Sequence, residues 1–362
     1  MSARSFRLMA ALGLAVGLVA AGSSVGGASV SSQAKPKYEY GINTYFTYNC
    51  QGTTLIDQWA TTQFSEYKAL GANAVAIAFP IYTDSLKSNS VYTKLVCNDP
   101  NYQSPPASLL AGVVDIAHAK GLQVLLRPLI DQTNLYAQGY LTWRGQLAPT
   151  NMAAWFQSYL ATMRPFLQVA QAHHVEHFAI ESELNSLAHA TEWPSAIALS
   201  RAIYKGDITF DYSWKTAVAK ITPGKSSLGI DTYPPLSKAT LAATPAKLTA
   251  MWSHLLAVSS SYELPRPRAT TIEEVGISAQ VGAYAEPWNT VLGLPTHPFD
   301  QTVQANWFTA ACSFMKQHQM KGIYFWGPWL ASKAGNLLTV PTPRIASDIQ
   351  PAAQTAIKHC FT

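Results

Sequence analysis

The stretch FAIESELN (178–185) begins as an apolar, β-prone run and ends in two carboxylates, Glu181 and Glu183. A second stretch, TTIEEVG (270–276), repeats the pattern with two adjacent glutamates. Burying an unpaired carboxylate is costly, so charge at the end of a dry strand indicates a partner or a chemical role. We expect one glutamate from each stretch to form a functional pair.

Apolar, β-prone runs of this kind recur along the chain, and we count eight. They are YGINTYF (40–46), ANAVAIAF (72–79), LQVLLRPLI (122–130), VEHFAIESE (175–183), DITFDY (207–212), SLGIDTY (227–233), ATTIEEVG (269–276) and GIYFWGPW (322–329). Amphipathic stretches with helical spacing lie between most of them, for example at 59–71, 108–121 and 152–174. Eight strands alternating with helices predict an α/β fold, a single (β/α)8 TIM barrel. Continuous apolar runs fit strands that are covered on both faces.

A doubly wound open sheet is the rival architecture. It requires a glycine-rich nucleotide fingerprint at an early strand–helix turn, and the sequence has none. The chain shows no tandem repeat and no clear linker. We therefore expect residues 35–362 to form one catalytic domain.

The composition narrows the class of protein. Only 12% of the 362 residues are charged, which is about half the usual fraction. The net charge is a mild +5, and no cluster of Lys and Arg stands out. A nucleic-acid partner is therefore not expected.

The first 34 residues have the pattern of a signal peptide and leader. Arg4 and Arg7 precede the apolar run LMAALGLAVGLVAAG (8–22), and small residues follow. This run is short for a membrane span. We predict a secreted, extracellular protein with no membrane association after signal removal.

Four cysteines lie beyond this leader: Cys50, Cys97, Cys312 and Cys360. An even number in a secreted chain favours two disulfides, and four cysteines allow three pairings. We favour Cys50–Cys97 and Cys312–Cys360, since each pair joins neighbouring parts of the predicted barrel.

Two glutamates that face each other across a barrel mouth suit glycoside hydrolysis. One donates a proton to the leaving oxygen, and the other attacks the anomeric carbon or activates a water. Sequence spacing leaves both the retaining and the inverting geometry open. Glu181 and Glu183 have the same parity, whereas at most one of Glu273 and Glu274 points inward if that strand is regular.

The order of short motifs resembles glycoside hydrolase family 113, retaining β-1,4-mannanases with the (β/α)8 fold of clan A. The resemblance runs from about residue 40 to 330. The matching motifs are GLQVLLRPLID (121–131), WRG (143–145), WFQSY (155–159), SELNSL (182–187), YKGDITFDYSW (204–214), LGIDTYPPL (228–236), EEVGISA (273–279), EPWN (286–289) and GIYFWGPW (322–329).

The resemblance assigns the acid/base role to Glu183 and the nucleophile role to Glu274. Glu181 stands where the family pattern has Gly, Glu273 where it has Thr, and Arg127 where Lys is usual. It also implies that the strand-six Tyr233 hydrogen-bonds the nucleophile.

The remaining polar and aromatic residues near the strand ends are candidate substrate ligands. We expect aromatic rings to stack on sugar faces and polar groups to bind hydroxyls. The candidates are Asp131, Trp143, Arg144, Tyr212, Asp231, Trp288 and Trp326. A structural role is the alternative for several: barrel packing for Trp326, loop stabilisation for Trp143 and Arg144, and helix capping for Asp131.

No metal or cofactor is expected. The histidines of HHVEH (173–177) lack the internal Glu of the HExxH zinc motif. The predicted partner is a polysaccharide or oligosaccharide, and the predicted state is a monomer. Alternatives are a β-glucanase or an exo-β-mannosidase on the same fold, or a non-catalytic carbohydrate-binding barrel.

Overall fold

Eight parallel strands close into a barrel in chain order, which confirms the predicted fold. The computed structural model describes residues 38–131, 143–214, 226–239, 242–258, 267–289, 297–330 and 348–362. The strands are β1 (Glu39–Phe46), β2 (Ala74–Ile81), β3 (Gln123–Ile130), β4 (His177–Ser182), β5 (Asp207–Ser213), β6 (Ser227–Asp231), β7 (Thr270–Val275) and β8 (Gly322–Leu330). The pairing of β1 with β8 closes the barrel. The predicted signal peptide and leader lie outside the described residues.

Helices pack around the strands and connect them. They are α1 (Thr53–Ala69), α2 (Ala107–Ala119), α3 (Met152–Ala172), α4 (Trp193–Ile203), α5 (Pro245–Val258), α6 (Gln301–Gln317) and α7 (Pro351–Phe361). α3 and α6 begin at a polar cap, since the side chain of Asn151 accepts the Ala154 N–H at 3.0 Å and that of Asp300 accepts the Thr302 N–H at 2.9 Å. Such caps satisfy amide groups that have no partner within the helix. No helix in the described part of the chain has the length and apolar character of a membrane span.

Two parts of the apolar core frame the site, one outside the barrel strands and one inside. The larger part lies between the strands and the surrounding helices. The smaller part fills the inside of the barrel near the start of the strands with Ala74, Ala76, Leu125, Ala179 and Tyr324. Its small side chains on β2 leave room for the large ring from β8. This apolar floor lies below the charged residues that follow further along β3 and β4, Arg127 and Glu181.

Two disulfides tie the connections to the barrel, with the predicted pairing confirmed. Cys50 pairs with Cys97, which joins the segment after β1 to the segment after β2. Cys312 of α6 pairs with Cys360 of α7. Each bond links elements that are neighbours around the barrel.

Two of the three histidines of the HHVEH segment, His173 and His177, have separate acidic partners. His173 lies 2.8 Å from Asp115, whereas His177 lies 3.3 Å from both Glu39 and Asp207. Burial alone lowers the pKa of His177, but its two carboxylate partners raise it to about 10. His177 therefore serves as a cation between Glu39 and Asp207, the first residues of β1 and β5.

Candidate active site

Glu274 lies near the carboxyl end of β7 and has both carboxyl oxygens bound. The Tyr233 hydroxyl donates to Oε1 at 2.5 Å, and the Arg127 Nη1 donates to Oε2 at 2.7 Å. Hydrogen bonds with a charged partner are shorter and stronger than neutral ones. Glu274 therefore has a fixed orientation and a neighbouring positive charge.

Glu183 immediately follows β4 and has a left-handed backbone, with φ of 56°. This conformation costs a residue other than glycine about 1–2 kcal/mol. The Glu183 N–H donates to the Asp211 carbonyl at 3.0 Å, and its carboxyl accepts from Arg144 Nη1 at 2.7 Å. The indole N–H of Trp143 lies 3.4 Å from the same oxygen. These contacts direct the Glu183 carboxyl toward the segment that follows β3.

Arg144 is itself anchored to the barrel. Its Nε donates to the Ile130 carbonyl at 2.9 Å, at the end of β3. The next residue, Gly145, has the Trp143 ring so close that a Cβ would collide with it. The absence of a side chain at Gly145 therefore lets the Trp143 ring fold over this turn.

Arg127 is fully buried in the interior of the barrel, where it binds three carboxyl groups. Besides Glu274, its Nη2 donates to Asp231 at 2.5 Å and to Asp211. Burial raises the pKa of both aspartates well above the usual range, and Arg127 opposes that rise. Breaking a buried ion pair leaves an uncompensated charge, so this cluster is sensitive to substitution.

Glu273 also points into the barrel, although it is adjacent to Glu274. The β6–β7 register advances from Ile230 opposite Ile272 to Asp231 opposite Glu274, so β7 contains one extra residue. Such a bulge breaks the alternation of faces. The expectation that only one of the two glutamates faces inward required a regular strand, and β7 is not regular.

The Glu273 carboxyl lies between Thr209 of β5 and Gly229 of β6. It accepts from the Thr209 hydroxyl at 3.2 Å, and a Cβ on Gly229 would collide with it. Burial raises the pKa of Glu273 to about 8, with Arg127 lowering it and Asp231 raising it. Glu273 therefore keeps its proton to a higher pH than an exposed glutamate does.

Glu181 is the fourth glutamate of the two stretches, and it is fully buried. Its Oε1 accepts the Leu184 N–H at 2.5 Å. Burial raises the pKa of Glu181 well above the usual range, and the nearby acids Asp231, Glu183 and Glu273 add to this rise.

Aromatic side chains line the mouth of the barrel. Tyr45 donates its hydroxyl to Asp131, and its ring lies 5.9 Å from that of Trp326 and 5.1 Å from that of Trp329. Trp329 is 45% exposed. Asp131 and Trp326 are thus brought together through Tyr45, which sequence reasoning did not select.

Trp288 is 45% exposed and stacks on the buried Trp214, with 6.3 Å between ring centroids. A ring that is partly exposed and backed by a second ring is suited to contact a sugar. Tyr212 is not part of this surface, since its side chain is fully buried in the main apolar core. Asp231 is likewise buried, and it contacts Arg127 instead of the open mouth.

Sequence reasoning also left Arg127 and Asp211 out of the candidate site. Arg127 was noted only as a replacement for the usual Lys, although it is the one charged residue in the run LQVLLRPLI (122–130). Asp211 lies two residues after Thr209 within DITFDY (207–212), on the same face of the strand. A charge inside a run that otherwise predicts a buried strand is the signal that locates both.

The sequence pattern of glycoside hydrolase family 113 matches residues 44–336, which is most of the chain. The chain belongs to this family. It is therefore a glycoside hydrolase, and a carbohydrate is its substrate. No curated protein matches the chain significantly.

Solved structures share the fold at low sequence identity. A family 113 β-1,4-mannanase has a TM-score of 0.68 at 16% identity, covering 90% of this chain and 98% of its own. The family 113 β-mannanase AaManA from Alicyclobacillus acidocaldarius has a TM-score of 0.64 at 19% identity, with coverages of 90% and 97%. An endocellulase from Pyrococcus horikoshii has a TM-score of 0.54 at 13% identity, with coverages of 90% and 93%.

Proposed function

We propose that this family 113 glycosidase cleaves β-1,4-mannosidic bonds within mannan-type polysaccharides, with retention of the anomeric configuration. One observation carries the proposal: Glu183 and Glu274, from the ends of β4 and β7, each have an arginine at 2.7 Å. Both acids raise the pKa of Tyr233, Glu274 more than Glu183, which supports a shared site. Paired carboxyls across a barrel mouth are the chemistry of glycoside hydrolysis.

Glu274 is the nucleophile in this proposal. Its carboxylate forms a bond to the anomeric carbon as the bond from that carbon to the leaving oxygen breaks. Tyr233 and Arg127 hold both of its oxygens, so little orientational freedom is left to lose on reaching the transition state. Burial and the adjacent Glu274 raise the pKa of Tyr233 well above the usual range, so this hydroxyl remains a donor.

Glu183 is the acid/base residue. In the first step it gives its proton to the departing oxygen, and the sugar remains bonded to Glu274. In the second step Glu183 takes a proton from water as the water oxygen bonds to the anomeric carbon and the bond to Glu274 breaks. Two inversions at one carbon give net retention.

The aromatic and polar groups at the mouth provide the sugar contacts. Trp143, Trp288 and Trp326 stack on sugar faces, while Asp131 and Arg144 bind hydroxyls. The 45% exposure of Trp288 supports the first role, and the position of Arg144 beside Glu183 supports the second.

We further propose that the protein is secreted as a monomer after removal of residues 1–34. Two disulfides support this location, because such bonds persist in oxidising compartments. Mass spectrometry of the protein from the culture medium tests the cleavage, and light scattering tests the monomer.

The proposed function is tested by incubating residues 35–362 with β-mannan, glucomannan, cellulose and xylan. Mannan cleavage to short oligomers is expected, with the β-anomer appearing first by NMR. Glu274→Gln and Glu183→Gln should each lose most of the activity on mannan, whereas Asp115→Asn, an exposed charge on α2, serves as the matched control. Release of only mannose, cleavage of cellulose alone, or full activity in either glutamine variant would each contradict the proposal.

A further inference from the structure

The backbone that carries Glu183 has a conformation that needs local support. Its φ of 56° makes Glu183 a left-handed residue other than glycine, directly after the end of β4. Residues in this region persist when surrounding contacts hold them, and they occur often at active sites. The contacts around this residue therefore determine where its carboxyl points.

Two hydrogen bonds enclose the Glu183 backbone. Its own N–H donates to the Asp211 carbonyl at 3.0 Å. The N–H of the following residue, Leu184, donates to Glu181 Oε1 at 2.5 Å. The Glu181 side chain thus reaches across the turn and fixes the peptide group on the far side of Glu183.

Glu181 is able to reach this turn because β4 is irregular. The β4–β5 register advances from Ala179 opposite Thr209 to Glu181 opposite Phe210, so β4 contains one extra residue. The Glu181 side chain is fully buried, in a region that already holds Asp231 and Glu273. Burial raises the pKa of Glu181 well above the usual range, whereas the Leu184 N–H lowers it. An Oε1 lone pair accepts this hydrogen bond with the carboxyl protonated or ionised.

We propose that Glu181 is a positioning residue for Glu183: its hydrogen bond to the Leu184 N–H holds the left-handed turn and directs the Glu183 carboxyl to the leaving oxygen. This inference rests on the acid/base role proposed for Glu183. Glutamine at position 181 keeps the acceptor oxygen. Methionine has nearly the same length and lacks this acceptor. The two substitutions therefore separate the hydrogen bond from side-chain volume.

The test compares aryl β-mannobiosides that have poor and good leaving groups. Departure of a phenol needs the acid, whereas departure of 2,4-dinitrophenolate does not. Glu181→Met should lose about 10- to 100-fold in kcat/KM on the phenyl substrate, since a misplacement of about 1 Å costs on the order of 100-fold. It should keep kcat/KM within about threefold on the dinitrophenyl substrate, and Glu181→Gln should resemble the wild type on both.

Glu183→Gln is the reference variant, with an expected loss of about 100- to 10,000-fold on the phenyl substrate alone. If this variant shows no dependence on the leaving group, the proposed acid/base role fails. If it shows the dependence and Glu181→Met does not, only the positioning role fails. Equal losses on both substrates in Glu181→Met would also overturn that role.

Retained activity on the dinitrophenyl substrate shows that a variant is folded. Glu181→Ala also removes the acceptor, and its smaller side chain cannot clash with the residues around position 181. If neither apolar variant folds while Glu181→Gln does, the hydrogen bond is required for folding, and the positioning role is overturned.

Discussion

Replacing Glu273 with Gln should change how the stability of the protein depends on pH. The usual pKa of this group is 4.5, and burial raises it to about 8 in the folded protein. Between these values the folded state keeps a proton that the unfolded state has released, so stability falls as pH rises through the window. The slope for one proton is about 1.4 kcal/mol per pH unit. Glutamine has no proton to release, so this contribution disappears.

The free energy of unfolding of Glu273→Gln, relative to the wild type, should therefore rise by roughly 3 kcal/mol between about pH 5.5 and about pH 7.5. Urea unfolding followed by tryptophan fluorescence at several pH values measures this difference. Asp115→Asn, on α2 outside the barrel, controls for the loss of one carboxyl group. Parallel curves for Glu273→Gln and the wild type would refute the reasoning, since they would mean that Glu273 ionises equally in both states.

Three further predictions concern the site and the disulfides. Tyr233→Phe removes the 2.5 Å hydrogen bond to the proposed nucleophile, so kcat/KM should fall about 10- to 100-fold, since a hydrogen bond to a charged group contributes about 1.5–3 kcal/mol. Unchanged kcat/KM would contradict the role of this bond. Arg127→Met should lower the free energy of unfolding by about 3–5 kcal/mol, because it leaves buried carboxyls without their cation; a loss below about 1 kcal/mol in urea unfolding would contradict this. Replacing Cys312 and Cys360 together by Ala opens a loop of 48 residues and should lower it by up to about 4 kcal/mol, whereas equal midpoints with and without the bond would contradict it.

The barrel could be predicted from the sequence because each strand is an unbroken apolar run between helical stretches. The structure places β2 at Ala74–Ile81, against the predicted 72–79, and β3 at Gln123–Ile130, against 122–130. Each strand is buried along its length, and the apolar run in the sequence shows where that burial begins and ends. The disulfide pairing followed from the same layout, since neighbouring connections of a barrel lie close together.

The interior of the site could be predicted only in part. Bulges in β4 and β7 change which side chains face inward, and a bulge has no simple signature in a run such as TTIEEV (270–275). Asp231 was expected at the open mouth, yet it is buried against Arg127, because one guanidinium gathers carboxyls from three strands. Such long-range charge pairing is set by the closed barrel and not by any one segment.

The pairing of β1 with β8 has a consequence for biosynthesis. Glu39 lies opposite Gly322, so β1 has no partner on one side until nearly all of the barrel has been made. An unpaired strand edge is a template for association with other chains, and contacts between residues distant in sequence slow folding. Tyr40 of β1 also stacks on Phe361, with 5.0 Å between ring centroids, and Phe361 follows the bonded Cys360. This contact between α7 and β1 therefore forms only after the residues between them have been synthesised.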